Sequence, residues 1–347
     1  MLSSSTGVRL VTFAFALALF GASAQAEDVF DTHIDNIHST TLSNGLEVVV
    51  IEDHALPIIT IEIAVRAGAF VESAEYNGLS HLYEHMFFKG NAAIADQREY
   101  LQRQRELGML FNGTTSTERV NYFFTLGSAR LCEGLSFMSN AIRTPLFDPE
   151  ELVREREVVL GEFDRNEAEH YYHLRHAVEQ ALWFEYPSYK DSLGDRETIS
   201  NATVEQMEWF DDTYYIPNNA ALFIAGDVTP EDGFALAEEL FGMWEPGPDP
   251  FVANPPPAHP PLPESVGRIV ERDVPAAVVT VAFHGPSVTD DVEATFAADV
   301  FSFILSQDAH RFQLNLVDSR LSFGAEISYF TQAHTGPIFI NAVTVPG

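Results

Sequence analysis

Two histidines and a glutamate within five residues, matched to one glutamate far downstream, constrain this chain more than anything else in it. The five residues are His81-Leu82-Tyr83-Glu84-His85, and residues 86–161 separate them from Glu162. Helical residues four apart share a face, so His81 and His85 can reach one point in space. Glu84, three residues after His81, stays on the same side. For Glu162 to join them, a second helix must pack against the first.

The donor set has a chemistry of its own. Neutral imidazole is a favoured zinc ligand, and a catalytic zinc takes three protein ligands and keeps one position for water. His81, His85 and Glu162 are the expected ligands, for one zinc ion per chain. Such a metal brings the pKa of its water to roughly 7. Glu84 is then the expected general base, taking that proton and handing it to a leaving amine.

The surrounding pattern mixes strands and helices without strict alternation, which argues an α+β fold. Strands are expected at Leu46 to Ile51, Ile58 to Val65, Val120 to Leu126 and Ala220 to Ala225. Gly78 opens a helix that carries the five-residue signature and stops near Gly90. Further helices are expected over 96–107, 129–143, 203–213 and 230–240. Asp148-Pro149 is a strong helix start, a capping side chain followed by proline at the first helical position. The long helical pattern from there runs through Glu162 towards Trp183, with an interruption expected near Gly161. Prolines crowd residues 246–265 and mark a semi-rigid linker. Beyond it, strands are expected over 267–272, 278–284 and 337–345, and a helix over 291–305.

Several of these segments resemble the pitrilysin/insulinase zinc peptidases, which include the mitochondrial processing peptidases. Asn77 to Gly90 is similar to that family's G-L-A-H-x-x-E-H-M-x-F-K-G segment, with its inverted zincin order H-x-x-E-H. Glu155 to Glu162 is similar to its E-R-x-V-V-x-x-E segment, at the family's usual distance from the second histidine. Tyr215 to Ala220 and Ile224 to Pro230 resemble the strand and turn that close its first domain. The resemblance covers roughly residues 40 to 345.

It implies two homologous sheet-plus-helix domains. The first is a catalytic domain over 34–245 and the second, over 266–347, is a substrate-enclosing domain that here is incomplete. It implies that Glu155 supports a metal ligand from behind. Asn112 to Tyr122 resembles the segment whose strand pairs with the substrate backbone, so Asn112, Thr115 and Tyr122 become expected substrate-binding residues. Gly113 stands where the family usually has alanine. The family's second domain normally supplies an arginine and a tyrosine, seven residues apart, to the substrate. Near the expected places this chain has Val317 and Phe323.

The first 26 residues read as a signal peptide, with Arg9, an apolar run over 11–20 and an Ala24-Gln25-Ala26 cleavage site. A periplasmic or secreted protein without a transmembrane anchor is expected after cleavage. Its only cysteine, Cys132, rules out an internal disulfide and reads as a buried side chain in a helix. The formal charge is −32, which would repel a polyphosphate and excludes nucleic acid as the expected partner. The spread of acids reads as solubility, with an acidic chamber for basic peptides as the other reading. His170, His173 and His176, at spacings of three, could form an auxiliary metal site, but a helix face near the cleft is the plainer reading.

The function expected is therefore a zinc endopeptidase acting on unfolded peptides. A partner, a second copy or a related peptidase-like subunit, would carry the missing arginine and tyrosine. The alternative is a non-catalytic assembly or binding subunit on the same fold.

Overall fold

The computed structural model describes residues 35–256 and 258–345; the expected leader lies outside them. Six strands form one mixed sheet: β1 (Ile37–Thr41), β2 (Glu47–Glu52), β3 (Ile58–Val65), β4 (Leu110–Thr115), β5 (Val120–Gly127) and β6 (Ala220–Gly226). Their spatial order is β1-β2-β6-β3-β5-β4. All neighbours are antiparallel except β2 and β6, which run parallel.

The alternation in β3 shows why a sheet forms here. Ile59, Ile61, Ile63 and Val65 are buried, while the residues between them face the other way. Each such side chain contributes roughly 1.5–3 kcal/mol on leaving water. The helices that cover this face are α3 (Leu131–Arg143) and α8 (Pro230–Phe241). Cys132 lies on α3 as expected but is exposed, because the buried stripe of that helix runs through Leu135, Met138 and Ile142.

At the β4 end of the sheet stand α1 (Leu79–Phe87), α2 (Gln97–Leu107) and α4 (Pro149–Ala168). Asp148 caps α4 as the sequence implies, accepting hydrogen bonds from the N–H groups of Glu150 and Glu151. The helix does not break at Gly161. It runs twenty residues and ends at Ala168, and after a short turn α5 (Tyr172–Leu182) begins. Then follow α6 (Arg196–Asn201) and α7 (Val204–Tyr214).

After the proline-rich stretch, which includes the short α9 (Pro250–Ala253), a second sheet forms. It has three antiparallel strands, β7 (Ala277–His284), β8 (Gly324–Tyr329) and β9 (Pro337–Thr344), in the order β7-β9-β8. Helix α10 (Val292–Ser306) packs on β8. The strand expected over 267–272 does not form. Ile269 there is 90% exposed, and without a neighbouring strand the segment has nothing to complete its ladder. Among the described residues no helix is long and apolar enough to cross a membrane.

Candidate metal centre and active site

Helix α1, which presents the signature, starts at a residue with no capping side chain of its own. Gly78 precedes it with φ +99°, a left-handed conformation that only glycine adopts freely. A β-carbon there would also meet Ile199 at 2.8 Å. Glu72 takes over the capping, accepting from the N–H groups of Gly78 and Ser80 at 2.8 Å each. Burial pushes the Glu72 carboxyl up to about 7 despite those bonds.

From this helix His81 and His85 face Glu162 on α4. One donor atom from each of the three lies within 4.8 Å of the others. His81 Nε2 stands 3.3 Å from Glu162 Oε2, close to the separation of roughly 3.3 Å between donors bound about 2 Å from a tetrahedral zinc. The hydrogen bond from His81, set against partial burial, holds the Glu162 carboxyl down at about 2, so it stays an anion. Glu155, two turns before Glu162, holds His85 Nδ1 at 3.1 Å and so turns Nε2 outward. Burial alone would raise the Glu155 carboxyl. Hydrogen bonds from His85 and from Lys89, at 2.6 Å, carry it below its ordinary value instead. Two imidazoles, one anionic carboxylate and a backing carboxylate form a set that fits zinc. His81 differs from His85 in that its buried Nδ1 has no hydrogen-bond partner among the described residues.

Glu84 is gripped from the sheet. Thr115, at the end of β4, donates from its hydroxyl to Glu84 Oε2 at 2.6 Å. Gly113, two residues earlier, leaves space that the Glu84 side chain fills. A β-carbon on Gly113 would lie 2.8 Å from Glu84 Cγ.

Asn112 is exposed on the outermost strand of the sheet, and its side-chain oxygen accepts from the Gly113 N–H at 3.0 Å. Thr115 therefore meets Glu84. Tyr122 lies in the floor beneath α1, with no exposed surface. It stacks on Phe87 and its hydroxyl is 2.9 Å from that of Tyr215. Beside it Tyr83 stacks on Tyr215 and donates to Asp211 on α7. Burial drives all three tyrosine hydroxyls well above their usual range and the Asp211 carboxyl up to about 7.

Sequence reasoning missed Glu72, Asp211 and the grip of Thr115 on Glu84. An acid just before a helix start is a readable signal for the first. Nothing local marks the other two. Of His170, His173 and His176, only His176 joins a possible metal-binding cluster among the described residues, with Glu179 and Asp191.

Two family models match the chain, the first described as insulinase (peptidase family M16), on residues 47–195. The second, peptidase M16 inactive domain, matches residues 201–347. The chain belongs to the M16 peptidase family. Its fold is the family's α+β arrangement of two homologous sheet-plus-helix domains. The second match begins upstream of β6, although β6 lies inside the first sheet.

A probable mitochondrial-processing peptidase subunit beta from Arabidopsis thaliana is 29% identical, over 72% of this chain and 47% of the relative. An uncharacterized zinc protease from Rickettsia felis is 27% identical, over 61% of this chain and 52% of the relative. The chain thus spans about half the length of the curated relatives it matches. Among solved structures, a protease from Helicobacter pylori superposes with TM-score 0.75 at 22% identity. That match covers 90% of this chain and 75% of the other. The periplasmic protease PqqL from Escherichia coli superposes with TM-score 0.69 at 15% identity, covering 89% and 35%.

Proposed function

We propose that this chain is a zinc-dependent endopeptidase acting on unfolded peptides. The observation that carries the reading is the convergence of His81, His85 and Glu162 on one point, with Glu84 held beside it. Zinc held there would polarise the scissile carbonyl and lower the pKa of a neighbouring water to roughly 7. Glu84 takes the proton of the attacking water and returns it to the leaving amine. Thr115 fixes one oxygen of that carboxylate and leaves the other for the proton. Glu155 keeps His85 aligned, and Lys89 helps keep Glu155 ionised. An extended peptide binds as an added strand along β4, where Asn112 is exposed. Tyr122 acts from beneath by supporting α1.

The domain boundaries proposed are 34–245, a linker over 246–265, and 266–347. They are supported by the gap between the two sheets, from Gly226 to Ala277. The protein works outside the cytoplasm, a reading that rests on the leader expected over residues 1–26.

Catalysis needs a partner, a second copy or a related subunit. Val317 lies in a π-turn over Leu314–Asp318 and Phe323 is 71% exposed. Neither offers a polar group to a substrate. Val279, Val281 and Phe283 on β7 and Phe296, Val300 and Phe303 on α10 are also exposed, an apolar surface of the kind a partner covers. The same facts favour the second reading, a binding subunit without activity of its own.

Glu84→Gln separates these readings. It should keep zinc yet lower the cleavage of an unfolded peptide by roughly 10²–10⁴-fold. Undiminished cleavage removes Glu84 from the mechanism. A wild-type chain that binds zinc but stays inert, alone and with a related subunit, supports the second reading.

A further inference from the structure

His176 and Glu179 lie three residues apart on α5 and share a face. Asp191 reaches them from the loop that follows, its Oδ2 3.6 Å from His176 Nδ1. One donor atom from each of the three falls within 4.8 Å of the other two. His176 Nδ1, Glu179 Oε2 and Asp191 Oδ2 are all closed off from solvent. None of them has a hydrogen-bond partner among the described residues.

The remaining polar atoms of the trio are engaged. Asp191 Oδ1 accepts from the Leu193 N–H at 3.0 Å. Glu179 Oε1 is 3.7 Å from Arg175 Nε. His176 Nε2 is 3.0 Å from the side-chain amide of Gln180, and Tyr172 stacks on the ring. Each residue is therefore held on one side, and the three remaining atoms face one another without a hydrogen bond, His176 Nδ1 and Asp191 Oδ2 meeting only as an ion pair at 3.6 Å. Buried polar atoms without partners are costly. One imidazole nitrogen and two carboxylate oxygens are a donor set for a divalent first-row cation.

We infer that His176, Glu179 and Asp191 bind a structural divalent transition-metal ion, distinct from the one at His81, His85 and Glu162. Binding through Nδ1 places the imidazole proton on Nε2. Gln180 accepts it through its side-chain oxygen once the amide is turned by half a rotation.

The location gives the ion a task. Asp191 follows Tyr189 and Lys190, whose φ angles of 51° and 57° are left-handed and strained for these residues. The loop then runs to Gly194, which packs against Gly78 at the start of α1. Asn77 donates its side-chain amide to Pro187 O at 3.3 Å and accepts from the Asp195 N–H at 3.3 Å. Tying Asp191 to α5 braces the loop that supports the catalytic helix.

Metal counting tests this. The full chain, stripped with a chelator and titrated with Zn²⁺, is desalted and its bound ions counted by elemental analysis. Two ions per wild-type chain are expected, and one in Asp191→Asn and in the isosteric Glu179→Gln. His85→Ala should also retain one, now at the second site. Hydrogen exchange over residues 186–195 should slow on zinc addition in wild type and in His85→Ala, but not in Asp191→Asn. A wild-type chain that saturates at one ion, lost in His85→Ala and kept in Asp191→Asn, overturns the second site. Two ions that persist in both Asp191→Asn and Glu179→Gln overturn it as well. An ion count unchanged by His85→Ala but lowered by Asp191→Asn counts against the His81–His85–Glu162 site instead.

Discussion

Thr115 shows how a neighbour can set the aim of the carboxylate proposed as the base. Its hydroxyl donates to Glu84 Oε2 at 2.6 Å, a bond to a charged acceptor and so worth roughly 1.5–3 kcal/mol. Thr115→Val should keep zinc content unchanged while lowering kcat about tenfold or more, because only the aim of the carboxylate is lost. Thr115→Ser should restore most of the rate. An unchanged kcat in the valine variant would show that Glu84 needs no such support. At this scale the convergence of His81, His85 and Glu162 was legible in the sequence, because helical spacing converts directly into a shared face. Thr115 was legible only as part of a strand segment. Which side chain a strand residue meets across a sheet depends on register, and no local pattern encodes that. The two lysines of the chain illustrate the same limit. Lys89 holds Glu155, and Lys190 is buried against the second unit. Neither role is visible from composition.

At the scale of elements, α4 was expected to break at Gly161 and does not. Glycine costs about 1 kcal/mol relative to alanine inside a helix, and tertiary packing through Leu152, Val159 and Phe163 overrides that. Nothing lies within 4 Å of the position a β-carbon would take on Gly161. Gly161→Ala should therefore stabilise the protein by roughly 0.4–1 kcal/mol, read as a rise in the denaturant midpoint. A loss of stability would mean that the helix needs the glycine.

Helix α1 rests on a floor in which Asp211 accepts from Tyr83 while its own carboxyl is pushed up to about 7 by burial. A folded pKa raised above the ordinary 3.8 favours the fold while Asp211 is protonated. That contribution is complete below about pH 4 and lost as pH rises through 7. Asp211→Asn keeps an acceptor and cannot ionise. Its Tm relative to wild type should rise between pH 5 and pH 8. A difference that stays flat would refute the burial argument. The short strand β1 and the helix α6 escaped the sequence reading because five or six residues give too little periodicity. The segment over 267–272 had the composition of a strand but no partner strand, and composition does not supply one.

At the scale of the whole molecule, the first domain was far more legible than the second. Strands β2 and β3 alternate there and α2, α4 and α7 carry side-chain caps, whereas β8 follows a π-helical turn and was missed. What ties the units together was also hidden. Lys190 Nζ donates to Gln332 Oε1 at 2.7 Å and to Thr335 O at 3.0 Å, and sits 4.2 Å above the Trp183 ring. Glu118 accepts from the N–H groups of Ala333 and His334. Lys190→Met should remove the charged donor and keep the bulk. Hydrogen exchange over 331–336 should then quicken, with stability falling by roughly 2–4 kcal/mol. Unchanged protection there would mean that Glu118 alone is enough to hold the loop. The same contacts border a cavity of about 920 Å³, whose walls include Arg66, Glu118 and Arg119 from the first unit and Phe330 and Gln332 from the second.

The parallel pairing of β6 with β2 has a consequence for how the chain reaches this state. β6 lies between β2 and β3, which precede it in the chain by more than 150 residues. Until residues 220–226 arrive, β2 and β3 each carry an unpaired edge. The centre of the sheet is thus its last part to be made, and closing it joins ends separated by most of the first domain. Such non-local pairing folds slowly and leaves strands open to the wrong neighbours in the meantime. A chain released before residue 226 carries His81, His85 and Glu162 but has no finished sheet to bring them together.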